Sequence, residues 1–190
     1  MHGLIFHTLE RFVVETYGHT VWEAITIEAK SPTSVFEPML EYEPMLLDRL
    51  IDASSVTLGK ARIAILEDVG TFLIADTERV RYLLRFSGET FRDFLLALDE
   101  LPDRIRLAVP SLDLPPIGLV VRDDGTTEIF WDAMFSGGNH LLAGLIRGMA
   151  DDYGALITID APRAGPLRVS IHGAVTCSAT EHDMSKAVAS

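Results

Sequence analysis

Apolar residues recur at helical spacing from the start of the chain. Ile5, Leu9, Phe12 and Val13 share one face of a predicted helix over residues 4–17, and Gly18 supplies the left-handed backbone that can end it. Thr20-Val21-Trp22-Glu23 has the form of a capping box, a hydroxyl followed three residues later by a carboxylate, and predicts the start of a second helix. Ser34-Val35-Phe36-Glu37 repeats that form and predicts another. The helical period continues over 44–58, 61–75, 78–86 and 91–101, with Gly59, Asp76-Thr77 and Ser87-Gly88 as breaks. Within the last of these, Phe91, Phe94, Leu95 and Leu98 form an apolar stripe that Ile105 extends, so these side chains face the interior.

After Pro115-Pro116 the pattern becomes extended. Residues 117–121 and 128–134 are rich in β-forming side chains, and Asp123-Asp124-Gly125 between them is a hairpin-turn signal. A helix over 139–153 follows, with Leu141, Leu142, Leu145, Ile146 and Met149 on one face. Strands over 155–160 and 167–175 flank a turn from Pro162 to Pro166. The expected fold is α+β: a helical N-terminal half, then a four-stranded antiparallel sheet with one inserted helix. Residues 1–175 read as one domain, and 176–190, which have no period, read as a mobile tail.

Composition narrows the function. The 190 residues are 48% hydrophobic and 23% charged, the balance of a soluble globular chain. A net charge of −12 argues against a nucleic-acid partner, which would require a local excess of lysine and arginine. Cys177 is the single cysteine, so neither an intrachain disulfide nor a Cys-x-x-Cys site can form. The apolar run near Ile63 to Ile74 is interrupted by Glu67 and Asp68, which makes it too short and too charged to span a bilayer. A cytoplasmic location is the resulting expectation.

The segment Leu98-Asp99-Glu100-Leu101-Pro102 resembles the haem-bearing helix of the H-NOX (haem nitric oxide/oxygen binding) family, whose pattern is Leu-Asp-x-Leu/Ile-His. Other stretches are similar to that family in the same order. They are Met1-His2-Gly3-Leu4-Ile5, Tyr17-Gly18, Trp22-Glu23-Ala24-Ile25, Pro110, Pro115-Pro116 and the helix from Leu141 to Gly154, so that residues 1–160 are covered. Pro102 stands where the family's iron-ligating histidine belongs. The family's Tyr-x-Ser-x-Arg signature, which holds the haem propionates, falls on Trp131, Ala133 and Phe135 when counted back without a gap from Gly144-Leu145-Ile146-Arg147-Gly148.

The resemblance implies haem as cofactor, yet the residues at these positions do not support it, and no cofactor is expected. Proline in a helix interior clashes with the carbonyl four residues earlier, here Leu98, at about 3 kcal/mol, so the helix should end or kink at Leu101 and restart with Pro102 in its first turn. Two buried propionates need cationic or hydroxyl partners, and Phe135 offers none. Aromatic residues there either fill space or line a pocket for another apolar ligand. Candidate pocket-lining residues are Ile5, Leu9, Phe94, Leu98, Leu101, Pro116 and Leu145. His2, His7, His19, His140, His172 and Cys177 are the remaining candidates for an atypical iron ligand, and none has metal-motif spacing. Ser136-Gly137-Gly138-Asn139 reads as a strand-to-helix turn, because it lacks the lysine and hydroxyl of a nucleotide loop. The acid pairs Glu67-Asp68 and Asp151-Asp152 read as exposed helix faces, and no catalytic constellation is visible.

Two functions stay open. One is a non-enzymatic signalling domain without the family's haem, regulating a partner that the resemblance places among histidine kinases or diguanylate cyclases. The other is a sensor that binds haem by an atypical ligand, or another hydrophobic small molecule, in the remnant pocket. The acidic surface suits a basic partner in either case.

Overall fold

His2 opens the first helix, α1 (Gly3–Tyr17), its Nδ1 accepting from the Leu4 amide at 3.2 Å, and the Gly18 amide closes it by donating to Val14. In the computed structural model, which describes residues 1–76, 78–162 and 165–174, α1 is followed by α2 (His19–Glu28), α3 (Pro44–Leu58), α4 (Arg62–Asp76), α5 (Glu78–Arg85) and α6 (Phe91–Leu96). A 3₁₀ turn, Leu98–Glu100, leads into α7 (Leu101–Ala108). The sheet half comprises β1 (Ile117–Val121), β2 (Thr127–Trp131), β3 (Ala155–Asp160) and β4 (Leu167–Ala174), with α8 (Gly138–Tyr153) inserted between β2 and β3. The strands are antiparallel in the order β1-β2-β4-β3, giving the expected α+β arrangement.

Local signals misled in several places. Thr20 lies inside α2, whose N-cap is Gly18 without a side-chain bond, because a single residue separates α1 from α2. Ser34-Val35-Phe36-Glu37 starts no helix. Trp22 Nε1 donates to the Ser34 carbonyl at 2.6 Å, the Phe36 amide donates to Glu10 Oε2 at 2.9 Å, and the Phe36 ring sits 5.2 Å from Phe6 and 5.0 Å from Tyr42. Burying that aromatic ring outweighs a local capping preference. A reciprocal box does form at Thr90 and Asp93, which starts α6.

The predicted helix over 91–101 is broken. α6 stops at Leu96, and α7 restarts at Leu101 with Pro102 in its first turn, where a missing amide hydrogen costs nothing. β2 ends at Trp131 rather than 134, since its partner strand begins at Ile117, preceded by Pro116, which has no amide to donate. β4 is described to Ala174; Val175, Cys177 and the 176–190 tail lie outside the described residues.

The described apolar core falls into two clusters. One joins α1, α2, α3 and the first half of α4; the other joins α6, α8 and the inner sheet face, where Ile129, Leu167 and Val169 are wholly buried. α4 and α8 bring the two together in backbone contact. A Cβ on Gly70 would lie 2.1 Å from the Leu141 carbonyl oxygen, and one on Gly144 would lie 2.0 Å from that of Glu67. Thr71 Oγ1 reinforces the crossing by donating to the Gly144 carbonyl at 3.2 Å.

On the sheet, Glu128 joins two arginines. Its carboxylate accepts from Arg122 Nε at 2.9 Å and from Arg168 Nε at 3.1 Å, and Arg168 reaches Asp160 at 3.4 Å. Hydrogen bonds from Arg122, then Arg168, hold the Glu128 carboxyl below its ordinary value of 4.5. A group with a depressed folded pKa contributes stability that is present above its unfolded pKa and lost as pH falls through the folded one. Glu128→Gln should therefore lower the melting temperature at pH 7, and the gap to the parent should close as pH drops below 4.5. A gap independent of pH would show that the charge of Glu128 contributes nothing.

Candidate functional site

Between the two core clusters lies a cavity of about 600 Å³. Its walls follow from helical periodicity. Ile5 and Leu9 come from successive turns of α1, Leu101 and Ile105 from successive turns of α7, and Leu141 and Leu145 from α8. Ile117, Trp131, Met134 and Phe135 close the sheet side. Thr8 also lines the space, but its hydroxyl donates to the Leu4 carbonyl at 2.8 Å. The lining is thus almost wholly hydrocarbon and within the size range of small-molecule sites.

Of the residues expected to line a pocket, Ile5, Leu9, Leu101 and Leu145 do so. Phe94 and Leu98 do not: both are buried in the second core cluster, where Phe94 lies 5.7 Å from Phe91 and 6.0 Å from Tyr153. Pro116 is exposed and also lies outside the lining. Pro102 is buried but does not face the cavity; the restart of α7 presents Leu101 and Ile105 instead. The segment between α7 and β1, with Val109, Leu112 and Leu114, supplies lining that sequence periodicity could not reveal, because it belongs to no regular element.

Three of the described histidines, His2, His140 and His172, are engaged in hydrogen bonds. His2 uses both ring nitrogens, on the Leu4 amide and on Ser111 Oγ at 2.9 Å. His140 Nδ1 meets Glu67 Oε1 at 3.2 Å, and His172 Nε2 meets Thr158 Oγ1 at 2.6 Å. His7 lies 3.8 Å from Glu10, and His19 is exposed. None of them lines the cavity. Among the described residues no cluster of histidine, cysteine and carboxylates suits a metal. Three of the four paired acids form ion pairs, Glu67 with Arg147, Asp68 with Lys60 and Asp152 with Arg85, and Asp151 is exposed.

A second cleft of about 510 Å³, more polar than the first cavity, shares Leu66, Trp131 and Phe135 with it as walls. Ala133, Arg62, Asn139 and His140 line it with the Ser136-Gly137-Gly138 turn. Gly137 takes the left-handed conformation, φ 84°, that lets the chain turn directly into α8. Arg62 ties the cleft together, pairing with Asp48 and, at 2.5 Å, with Asp52, and donating to the Ser136 carbonyl at 3.1 Å. Arg62 was not visible as a site residue in sequence, since 74 residues separate it from Ser136.

The family model described as Haem-NO-binding matches residues 2–161. The chain belongs to this family. Relatives of the H-NOX domain include soluble guanylate cyclase 89Da of Drosophila melanogaster, 22% identical over 80% of this chain and 23% of that protein. Soluble guanylate cyclase gcy-31 of Caenorhabditis elegans is 23% identical over 80% of this chain and 22% of its own length. The chain thus spans less than a quarter of the cyclases it matches. Among solved structures, a mutant H-NOX protein from S. oneidensis in the Fe(II) state superposes with a TM-score of 0.77 at 16% identity, covering 93% of this chain and 98% of the other. An oxygen-binding H-NOX domain related to soluble guanylate cyclases gives 0.66 at 19% identity, covering 92% and 97%. The described helices include none long and apolar enough to cross a membrane.

The cavity does not offer what the H-NOX family's haem requires. Its lining contains no histidine, cysteine or tyrosine to hold iron, and the soft donor present is the thioether of Met134, which is 38% exposed. Of the three residues that the sequence count sets against the propionate signature, the Ala133 and Phe135 side chains carry neither charge nor hydrogen-bonding group, and Trp131 carries one indole N–H.

Proposed function

We propose that this H-NOX domain is a sensor module that works without histidine-ligated haem, taking an apolar small molecule into the cavity and passing its occupancy to a signalling partner. The observation that supports this reading is a cavity of about 600 Å³ whose lining contains no histidine, cysteine, tyrosine or charged residue. The cavity touches helices from both core clusters, so a ligand that packs better in one arrangement of them shifts the population between arrangements. The partner that the family suggests is a histidine kinase or diguanylate cyclase, with a guanylate cyclase added by the relatives. In this reading the chain binds and regulates, and the partner or another domain performs the chemistry.

Absorption spectroscopy on protein expressed with a haem precursor tests the haem-free state. The expected spectrum lacks a strong Soret band. Pro102→His should raise haem affinity if α7 can turn the new side chain toward the cavity, with Phe135 keeping it weak. A stoichiometric Soret band in the parent chain would instead favour atypical ligation, for which Met134 is the lining residue with a donor atom.

A further inference from the structure

The loop between α2 and α3 has an ordered backbone and an apolar outer side. Its inner side is held by the bonds from Trp22 to Ser34 and from Phe36 to Glu10, by the Tyr42 hydroxyl, which accepts from the Glu37 amide at 2.9 Å, and by the Leu40 carbonyl, which accepts from the Gly3 amide at 2.7 Å. Phe36 turns into the core. Val35, Met39, Leu40 and, in the first turn of α3, Met45 turn outward and are 54% to 73% exposed. Large apolar side chains displayed together on a backbone that is already fixed favour a partner, because covering them releases water and the cost of ordering the loop has been met in advance. Methionine, unbranched and polarisable, adapts to the shape of what it meets.

Charge decides what covers this surface. Glu37, Glu41 and Glu43 are exposed among the apolar side chains, and no lysine, arginine or histidine occurs from residue 31 to residue 48. The cations flanking the loop are Lys30, Arg49, which pairs with Glu43 at 3.7 Å, and the Met1 ammonium, which donates to the Tyr42 carbonyl at 2.7 Å. A second copy of the chain docking here across a two-fold axis would set the glutamates against their own counterparts. An anionic lipid surface would be repelled. Residues 175–190 of the chain carry Lys186 against Glu181 and Asp183, so they bring no surplus of positive charge either.

We infer that this loop is where the signalling partner docks, through a basic amphipathic segment whose apolar side chains cover Met39, Leu40 and Met45 and whose lysines or arginines meet the glutamates. The inference rests on the partner reading above and gives it a surface. Two elements join that surface to the cavity. The loop is bonded to the start of α1, whose Ile5 and Leu9 line the cavity, and Met45 belongs to α3, which contributes Leu47 and Ile51 to the same wall.

Fluorescence anisotropy of a labelled peptide with leucine and lysine at amphipathic helical spacing, titrated with the full chain at physiological ionic strength, tests the docking surface. The peptide should bind, and a counterpart with glutamate in place of lysine should not. Met39→Ser combined with Met45→Ser should weaken binding about tenfold, and so should Glu37→Gln combined with Glu41→Gln and Glu43→Gln. Glu89→Gln with Asp123→Asn and Asp151→Asn, the same change in charge at exposed sites elsewhere, should leave it within about twofold. All the replaced side chains are exposed, so these variants keep the fold. Equal weakening by the two charge variants, or none by the methionine variant, would overturn the docking surface, as would a dimer of the chain that the methionine variant abolishes. Dodecanol, an uncharged chain suited to the hydrocarbon walls, should change the peptide's affinity when it occupies the cavity. Peptide binding at the loop that ignores bound dodecanol would contradict the sensor reading and leave the docking surface in place.

Discussion

Phe94→Ala is expected to destabilise the domain by about 3–5 kcal/mol, the cost of removing a fully buried aromatic ring. Phe94 has no exposed surface and packs against Phe91 and Tyr153. It lies outside the cavity lining, so its removal opens a new void rather than widening an existing space. Thermal melting should show a midpoint lowered on the order of 10 °C. The control is Phe86→Ala, which truncates a ring that is 85% exposed and should stay within about 0.5 kcal/mol of the parent. Equal effects of the two changes would contradict the placement of α6.

The second large effect is at the α4–α8 crossing. In an exposed helix Gly→Ala stabilises by up to about 1 kcal/mol, because alanine has the higher helix propensity. At Gly144 the new methyl would meet the Glu67 carbonyl at 2.0 Å, and at Gly70 it would meet the Leu141 carbonyl at 2.1 Å. Backbone cannot rotate away as a side chain can, so overpacking dominates, and Gly144→Ala should cost about 3 kcal/mol in denaturant unfolding. The sign of the change is decisive: stabilisation would mean that the helices are not in backbone contact. Both helices also wall the cavity, through Leu66 and Val69 on one and Leu141 and Leu145 on the other, so forcing them apart should weaken ligand binding in any protein that still folds.

Sequence pattern revealed the elements whose burial has a period. The stripe of Phe91, Phe94, Leu95 and Leu98, the hairpin at Asp123-Asp124-Gly125 and the break before Pro102 all follow from local chemistry that the fold respects. It failed where a distant contact decided. Ser34 and Phe36 have the composition of a helix start, but Trp22, Glu10 and Tyr42 hold them in a loop. The site was half legible for the same reason. Ile5, Leu9, Leu101 and Leu145 recur on helix faces, whereas Leu112, Met134 and Arg62 reach the two spaces from loops or from a remote helix. Burial of Phe94 was legible; that it packs on Tyr153 of α8 and not into the cavity depends on a contact between remote segments.

Native mass spectrometry of the chain, purified from cells supplied with a haem precursor and then mixed with dodecanol, tests the central claim most directly. The account predicts that no haem adduct is present and that dodecanol forms a one-to-one complex with the folded chain. A stoichiometric haem adduct that excludes dodecanol would contradict it.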